Sequence, residues 1–225
     1  MVYFVADETA SWERAKRGML DGKTEQALRD LPFAGDPDSL GLTVLEKRAS
    51  YTIGHGLHVV PDGAPTRAWW SGRGKYALPD FAAVLGYQLV SEDFRALIEE
   101  FEPGVHQFIP VDVYKTRDGE ELWGTWYWLN ICNRIDSTDH DAMRQAGWFH
   151  TDIAGTKQRG MWRFDRKATR WNKPPIIFSR EGIGNAILWV DPYLNPRNFY
   201  ARDVFAQAVQ DRGLTGCSLT QQQEV

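Results

Sequence analysis

The sequence predicts an α+β fold: a mostly antiparallel sheet with a few packed helices and a loop-rich N-terminal part. Three observations predict it. Between His106 and Ile131, apolar residues alternate at a period of two on either side of Asp118-Gly119, a hairpin turn signal. Glu92–Phe101 and Ala201–Asp211 space their apolar residues by three and four, the helical period. Between such segments, short apolar runs alternate with Pro, Gly, Asp and Ser, which mark turns.

In chain order, Val2-Tyr3-Phe4-Val5 reads as an opening strand. Ser11 is a candidate N-cap for a helix to about Arg17, with Gly18 and Gly22 ending that region. Leu31–Gly41 is Pro-, Gly- and Asp-rich and reads as loop. Leu42–Glu46 and Leu57–Val60 look like strands, Pro61–Pro65 is a turn, and Ser71–Gly74 is a further flexible stretch. Ser91 caps the helix over Glu92–Phe101, and Glu92 and Asp93 suit the positive end of its dipole. Phe94, Leu97, Ile98 and Phe101 form its apolar face, and Pro103-Gly104 stops it.

The strand His106–Tyr114 sets Phe108, Pro110 and Asp112 against Ile109, Val111 and Val113. Pro110 calls for an edge or a bulge, because it cannot donate to a ladder. In the return strand Leu122–Ile131, Trp126 and Trp128 face one way and Tyr127, Leu129 and Ile131 the other. A strand apolar on both sides is covered on both. Thr138 or Asp139 begins a short helix ending at Gly147. Trp148–Ile153, Met161–Phe164 and Pro175–Phe178 read as strands, and Ser179 caps a helix to about Trp189. The last helix covers Ala201–Asp211, with Val204, Phe205, Ala208 and Val209 as its stripe and Arg212-Gly213 as its stop. Leu214–Leu219 closes as a strand, and Gln221–Val225 reads as a frayed tail.

At 225 residues with 43% apolar content, the chain fits one large domain, or one with a small N-terminal lobe. The expected division is a loop-rich part over residues 1–84, an α+β core over 85–222 and a tail over 223–225. Ten Trp are more than ordinary usage; most must fill the core, and the rest suit interface anchors. No segment approaches the roughly 20 apolar residues that span a bilayer. Met1–Arg17 lacks a signal-peptide pattern, so the expected location is the cytoplasm. Cys132 and Cys217 could pair, but two buried free thiols suit a reducing compartment better.

The net charge of -4 is unevenly spread. Residues 80–141 hold thirteen acids and four bases, whereas 142–175 hold two acids and eight bases. Such blocks either steer a partner of opposite sign or pair with each other in the fold.

Motifs for chemistry are scarce. There is no P-loop, dinucleotide fingerprint or nucleophile elbow, and Gly182-Ile183-Gly184 lacks the rest of a phosphate-binding pattern. His55 and His58 are the only paired histidines; zinc needs three or four ligands, and a loop with hydrogen-bonded rings is the plainer reading. Asp136-Ser137-Thr138-Asp139-His140-Asp141 could hold a divalent ion, supply an acid–base pair, face a partner, or simply cap a helix. Arg159–Lys173 interleaves cations with rings, which suits single-stranded nucleic acid or a strand with Trp162 and Phe164 turned inward. No cofactor and no metal are expected.

From Val90 onward the order of motifs resembles a polymorphic-toxin immunity family, the eleventh of its kind and formerly a domain of unknown function. The residues that carry the resemblance are Ser91-Glu92-Asp93-Phe94, then Gln107-Phe108-Ile109-Pro110-Val111, Leu129-Asn130-Ile131, Arg134-Ile135-Asp136, and Gly213-Leu214-Thr215-Gly216. It covers residues 85–222; the stretch with Pro192, Pro196 and Asn198 departs from the pattern, and the N-terminal part matches loosely. The resemblance implies a non-enzymatic protein that binds a cognate toxin domain and occludes its active site. It carries over no catalytic residue. On this expectation Asp136, Asp139, Asp141, Glu120 and Glu121 are the candidate partner-binding residues, because a basic toxin would be steered to the acidic region. The alternatives are a hydrolase-like enzyme using the 136–141 cluster, and a nucleic-acid binder through 159–173.

Overall fold

The hairpin expected over 106–131 is the spine of the largest sheet among the described residues. The fold is seen in a computed structural model that describes all residues except 12–15, 22–26, 29, 36–52, 153–158, 166, 168–172 and 195–197. Its strands are β1 (Val2–Asp7), β2 (Arg17–Met19), β3 (Arg67–Trp70), β4 (Phe81–Val84), β5 (Tyr87–Val90), β6 (Gln107–Tyr114) and β7 (Leu122–Asn130). They continue with β8 (Trp148–Asp152), β9 (Arg159–Phe164), β10 (Ile177–Phe178), β11 (Leu188–Trp189), β12 (Phe199–Arg202) and β13 (Cys217–Glu224). The helices are α1 (Glu92–Phe101), α2 (His140–Gln145), α3 (Arg180–Ile183) and α4 (Asp203–Asp211).

One sheet has the order β2-β3-β6-β7-β5-β4, the other β10-β13-β1-β12-β11, and β8 pairs only with β9. Among the described residues, all pairings between named strands are antiparallel except β3 with β6 and β10 with β13. The fold is therefore the mostly antiparallel α+β architecture that the sequence predicts.

Three apolar layers alternate with the two sheets, and period-two strands feed them. In β7, Trp128 enters the first layer with Val111, Leu89 and Trp70, while Leu129 turns to the second. The second layer fills the space between the sheets with Phe94, Leu97 and Ile98 of α1 and Phe205 and Val209 of α4. In β12, Phe199 and Ala201 face this layer and Tyr200 faces the third, beside Trp189, Phe178 and Trp162. Both sheets are thus covered on both sides.

Pro110 sits in an interior strand, yet its position is open. β6 pairs with β3 only over Asp112–Tyr114, so the missing N–H at Pro110 costs no ladder bond on that side. The bulge falls instead between Val113 and Tyr114.

Several expectations are corrected. Arg17–Met19 is a strand, so no helix reaches Arg17; residues 12–15 and the expected strand Leu42–Glu46 lie outside the described residues. Leu57–Val60 is not a strand, for only Val59 makes a bridge, to Phe33. Side chains hold that loop instead. Asn130 Nδ2 donates to the Leu57 carbonyl (2.9 Å), and Gln107 takes both backbone groups of Val59. Gly56 is obligatory there: its φ is +79°, and a Cβ would lie 2.6 Å from Val190 Cγ2. The helix after Ser179 is a single turn, ending at Gly184, and Leu188–Trp189 is a strand. Ala201 belongs to β12, and Val204 is exposed, leaving Phe205, Ala206 and Val209 as the buried stripe of α4.

The expected tail is a strand. β13 runs to Glu224 and lies between β1 and β10. Glu224 is 5% exposed at its side chain and pairs with Arg202 (2.8 Å) and Arg180 (3.3 Å). A polar sequence conceals this because the strand is held by its backbone ladder and one ion-pair cluster rather than by apolar side chains.

Candidate partner-binding surface

The chain leaving β7 bridges to Val190 through Arg134 and then to Phe178 through Thr138. The polar residues of the segment 136–141 split between two tasks. Ser137, Thr138 and Asp139 are used internally. Ser137 donates its N–H and its hydroxyl to Asp191 Oδ2, each at 2.8 Å. Thr138 Oγ1 accepts from Trp162 Nε1 at 3.0 Å. Asp139 caps α2 by accepting from Ala142 N at 2.8 Å. Asp136 and Asp141 face outward. Asp136 bonds His140 Nε2 at 2.8 Å, and Asp141, 87% exposed at its side chain, pairs with Arg144 at 2.5 Å.

Glu120 and Glu121 are exposed in the β6–β7 turn, where Glu121 pairs with Lys115. Asp118, beside them, has its pKa lowered by the Thr116 hydroxyl and the Glu120 N–H. Glu120 and Glu121 precede Leu122 and the 136–141 segment follows Asn130, so the two groups are attached to opposite ends of β7.

The most site-like buried groups are ones that sequence reasoning did not single out. Asp191 is fully buried, and burial pushes its carboxyl up to about 6 despite hydrogen bonds from Ser137 and Tyr193. Glu102 accepts from Asn133 Nδ2, Ile187 N and Leu188 N and bonds the buried His106 Nε2 at 2.8 Å. Burial alone would raise its pKa, but His106 and the two N–H groups outweigh burial and lower it. No linear motif signals either group, because Ser137 reaches Asp191, and Asn133, Ile187 and Leu188 reach Glu102, from distant segments.

Glu102, His106 and Cys132 have the order of an acid–base–nucleophile set, and the geometry rejects that role. His106 Nδ1 accepts the backbone N–H of Cys132 at 3.0 Å and Nε2 faces Glu102, so the ring meets the amide of Cys132 and not its thiol. Burial also pushes the Cys132 thiol up to about 12, far from a thiolate at neutral pH. Cys132 and Cys217 are both free and partly covered. His55 is buried and His58 exposed, so the two rings do not share an environment. Among the described residues, no three His, Cys, Asp or Glu side chains are grouped to hold a metal ion.

In β9, Trp162 is buried and Phe164 half-buried while Arg163 is exposed, which is the alternation of a one-sided strand. The His150 and Trp162 ring centroids lie 3.6 Å apart, fastening β8 to β9. Arg166, Arg170 and Trp171 of the basic segment lie outside the described residues. No helix of the described residues is long and apolar enough to cross a membrane.

Compared with known proteins, residues 65–224 match the family model described as an immunity protein family, Imm11. The match starts at the approach to β3, twenty residues before the resemblance read from the motifs, and ends with β13. No curated protein matches the chain.

Proposed function

The chain belongs to the Imm11 immunity protein family, and from that membership we propose that it binds a cognate toxin effector and neutralises it by covering the toxin's active site. The observation that carries the reading is the extent of the match, which takes in β3 to β13 and so both sheets. The toxin would belong to a polymorphic system delivered by a secretion apparatus in bacterial competition, and the immunity protein would act in the cytoplasm of the producing cell. Neutralisation needs no chemistry from the immunity partner: an interface of about 1,600 Å² with a few desolvated anchors is enough to hold a complex.

The outward acids Asp136, Asp141, Glu120 and Glu121 support a basic partner, reached by electrostatic steering. Asp139 contributes to such a surface only through the helix that it caps.

The test is a tagged pull-down from native producer cells in which toxin synthesis is verified. A stoichiometric partner whose C-terminal domain kills when expressed alone, and is harmless with this protein, is the expected result. Absence of such a partner, or killing undiminished by co-expression, ends the immunity reading.

A further inference from the structure

Three Asp-Gly pairs occur in the chain: Asp21-Gly22, Asp62-Gly63 and Asp118-Gly119. In such a pair the glycine nitrogen can attack the aspartate Cγ, because the second residue has no side chain to block the approach. The fold treats the three pairs differently.

Asp118 is pinned. Its Oδ1 accepts from the Thr116 hydroxyl and from the Glu120 N–H, the latter at 3.3 Å. These bonds lower its pKa, so less of it carries the proton that makes a carboxyl oxygen a leaving group. Its glycine is covered too, for a Cβ on Gly119 would lie 2.7 Å from Arg67 Nη2. Asp21 is also held, its Oδ2 accepting the Thr66 N–H at 2.9 Å. Gly22 lies outside the described residues.

Asp62-Gly63 has neither restraint. Both residues are exposed, in the middle of a turn that the Ala64 N–H closes on the Pro61 carbonyl at 2.9 Å. Among the described residues nothing donates to the Asp62 carboxylate, and a Cβ on Gly63 would meet no atom within 4 Å.

We infer that Asp62-Gly63 is a site of covalent modification, where the aspartate isomerises to isoaspartate without an enzyme. Gly63 N forms a bond to Asp62 Cγ, and a carboxyl oxygen leaves as water with the amide and carboxyl protons. Water then adds to the cyclic imide. Opening at the main-chain carbonyl carbon of Asp62 frees that carbon as a carboxylate and routes the chain through Cβ and Cγ. The chain between Pro61 and Ala64 thereby gains a methylene. It gains it beside Ala64, buried in the first apolar layer, and beside Pro65, whose carbonyl accepts Trp128 Nε1 at 2.8 Å. The inference goes beyond toxin binding and does not depend on it.

The test ages the full-length protein at neutral pH and physiological temperature in heavy-oxygen water, once folded and once unfolded in guanidinium chloride. Peptide mapping then follows isoaspartate, marked by incorporated heavy oxygen, at each pair. Unfolded, Asp62 and Asp118 should convert at similar rates. Folded, Asp62 should stay close to its unfolded rate, while Asp118 should slow about tenfold or more, because its hydrogen bonds must be given up first. Thr116→Ala should return part of the Asp118 rate. Asp62→Glu, which would have to close a larger ring, should end conversion at that position. No isoaspartate at Asp62 in the folded protein, or conversion at Asp118 as fast as at Asp62, overturns the inference.

Discussion

Asp191 shows how a single side chain sets a pH dependence here. Its carboxyl is fully buried, and its pKa rises from an ordinary 3.8 to about 6 on folding. A group raised in the folded state contributes stability that is complete below its unfolded pKa and is lost as pH rises through its folded pKa. Compared with Asp191→Asn, the natural protein should therefore lose up to about 3 kcal/mol between pH 4 and pH 7. Urea unfolding of both proteins across that range checks it, and parallel profiles would contradict it. Caps act at the same scale. Ser91 Oγ accepts from Phe94 N and donates to Asp80, whose other oxygen accepts from Thr215. Ser91→Ala should cost about 1–2 kcal/mol, and Asp139→Ala about 1 kcal/mol, in the urea midpoint at constant slope. Both caps were legible as Ser or Asp before an apolar helical period. Asp191 was not, because its distant partner Ser137 meets it only when Arg134 bridges to Val190.

At the scale of elements, local signals read well where one segment supplies its own evidence. The α1 helix, the β6–β7 hairpin and the stop at Gly213 all carry their period and their punctuation within a dozen residues. They fail where an element exists only through its neighbours. Leu188–Trp189 is a strand because β12 lies beside it, and β13 runs four residues beyond Thr220 because β1 and β10 flank it. Removing residues 221–225 should therefore take out the rungs to Val2 and Tyr3, the parallel pairing with β10, and the Glu224–Arg202 pair. The truncated protein should melt at least several degrees lower or fail to unfold cooperatively, by circular dichroism. An unchanged melting curve would show that β13 is dispensable beyond Thr220. Glu102→Ala tests another tie between elements. It leaves the N–H groups of Ile187 and Leu188 without their acceptor and should cost about 3 kcal/mol or more.

At the scale of the molecule, charge reversals test whether the acidic block steers a partner. Asp141→Lys, Glu120→Lys and Glu121→Lys change exposed side chains that neither cap a helix nor fill a core. If the toxin is basic, these reversals should lower its association rate and flatten the dependence of that rate on salt, with dissociation changed little. Stopped-flow mixing at several ionic strengths checks this at each end of β7 separately. A reversal without effect removes that end from the interface.

The sequence by itself determined the fold class, the two main helices, the central hairpin and the two-sided burial of β7, because each follows from a period of two or 3.6 and from local caps. The order of motifs from Ser91 to Gly216 also carried the family resemblance. Tertiary structure alone decided the strand identity of β11 and the C-terminal β13, and the stitching of Gly54–Val59 by Asn130 and Gln107. It alone also decided that Ser137 meets the buried Asp191. The physical reason is common to these. Backbone ladders and buried carboxylates draw their parts from segments tens of residues apart, and no local spacing records which of those segments will meet.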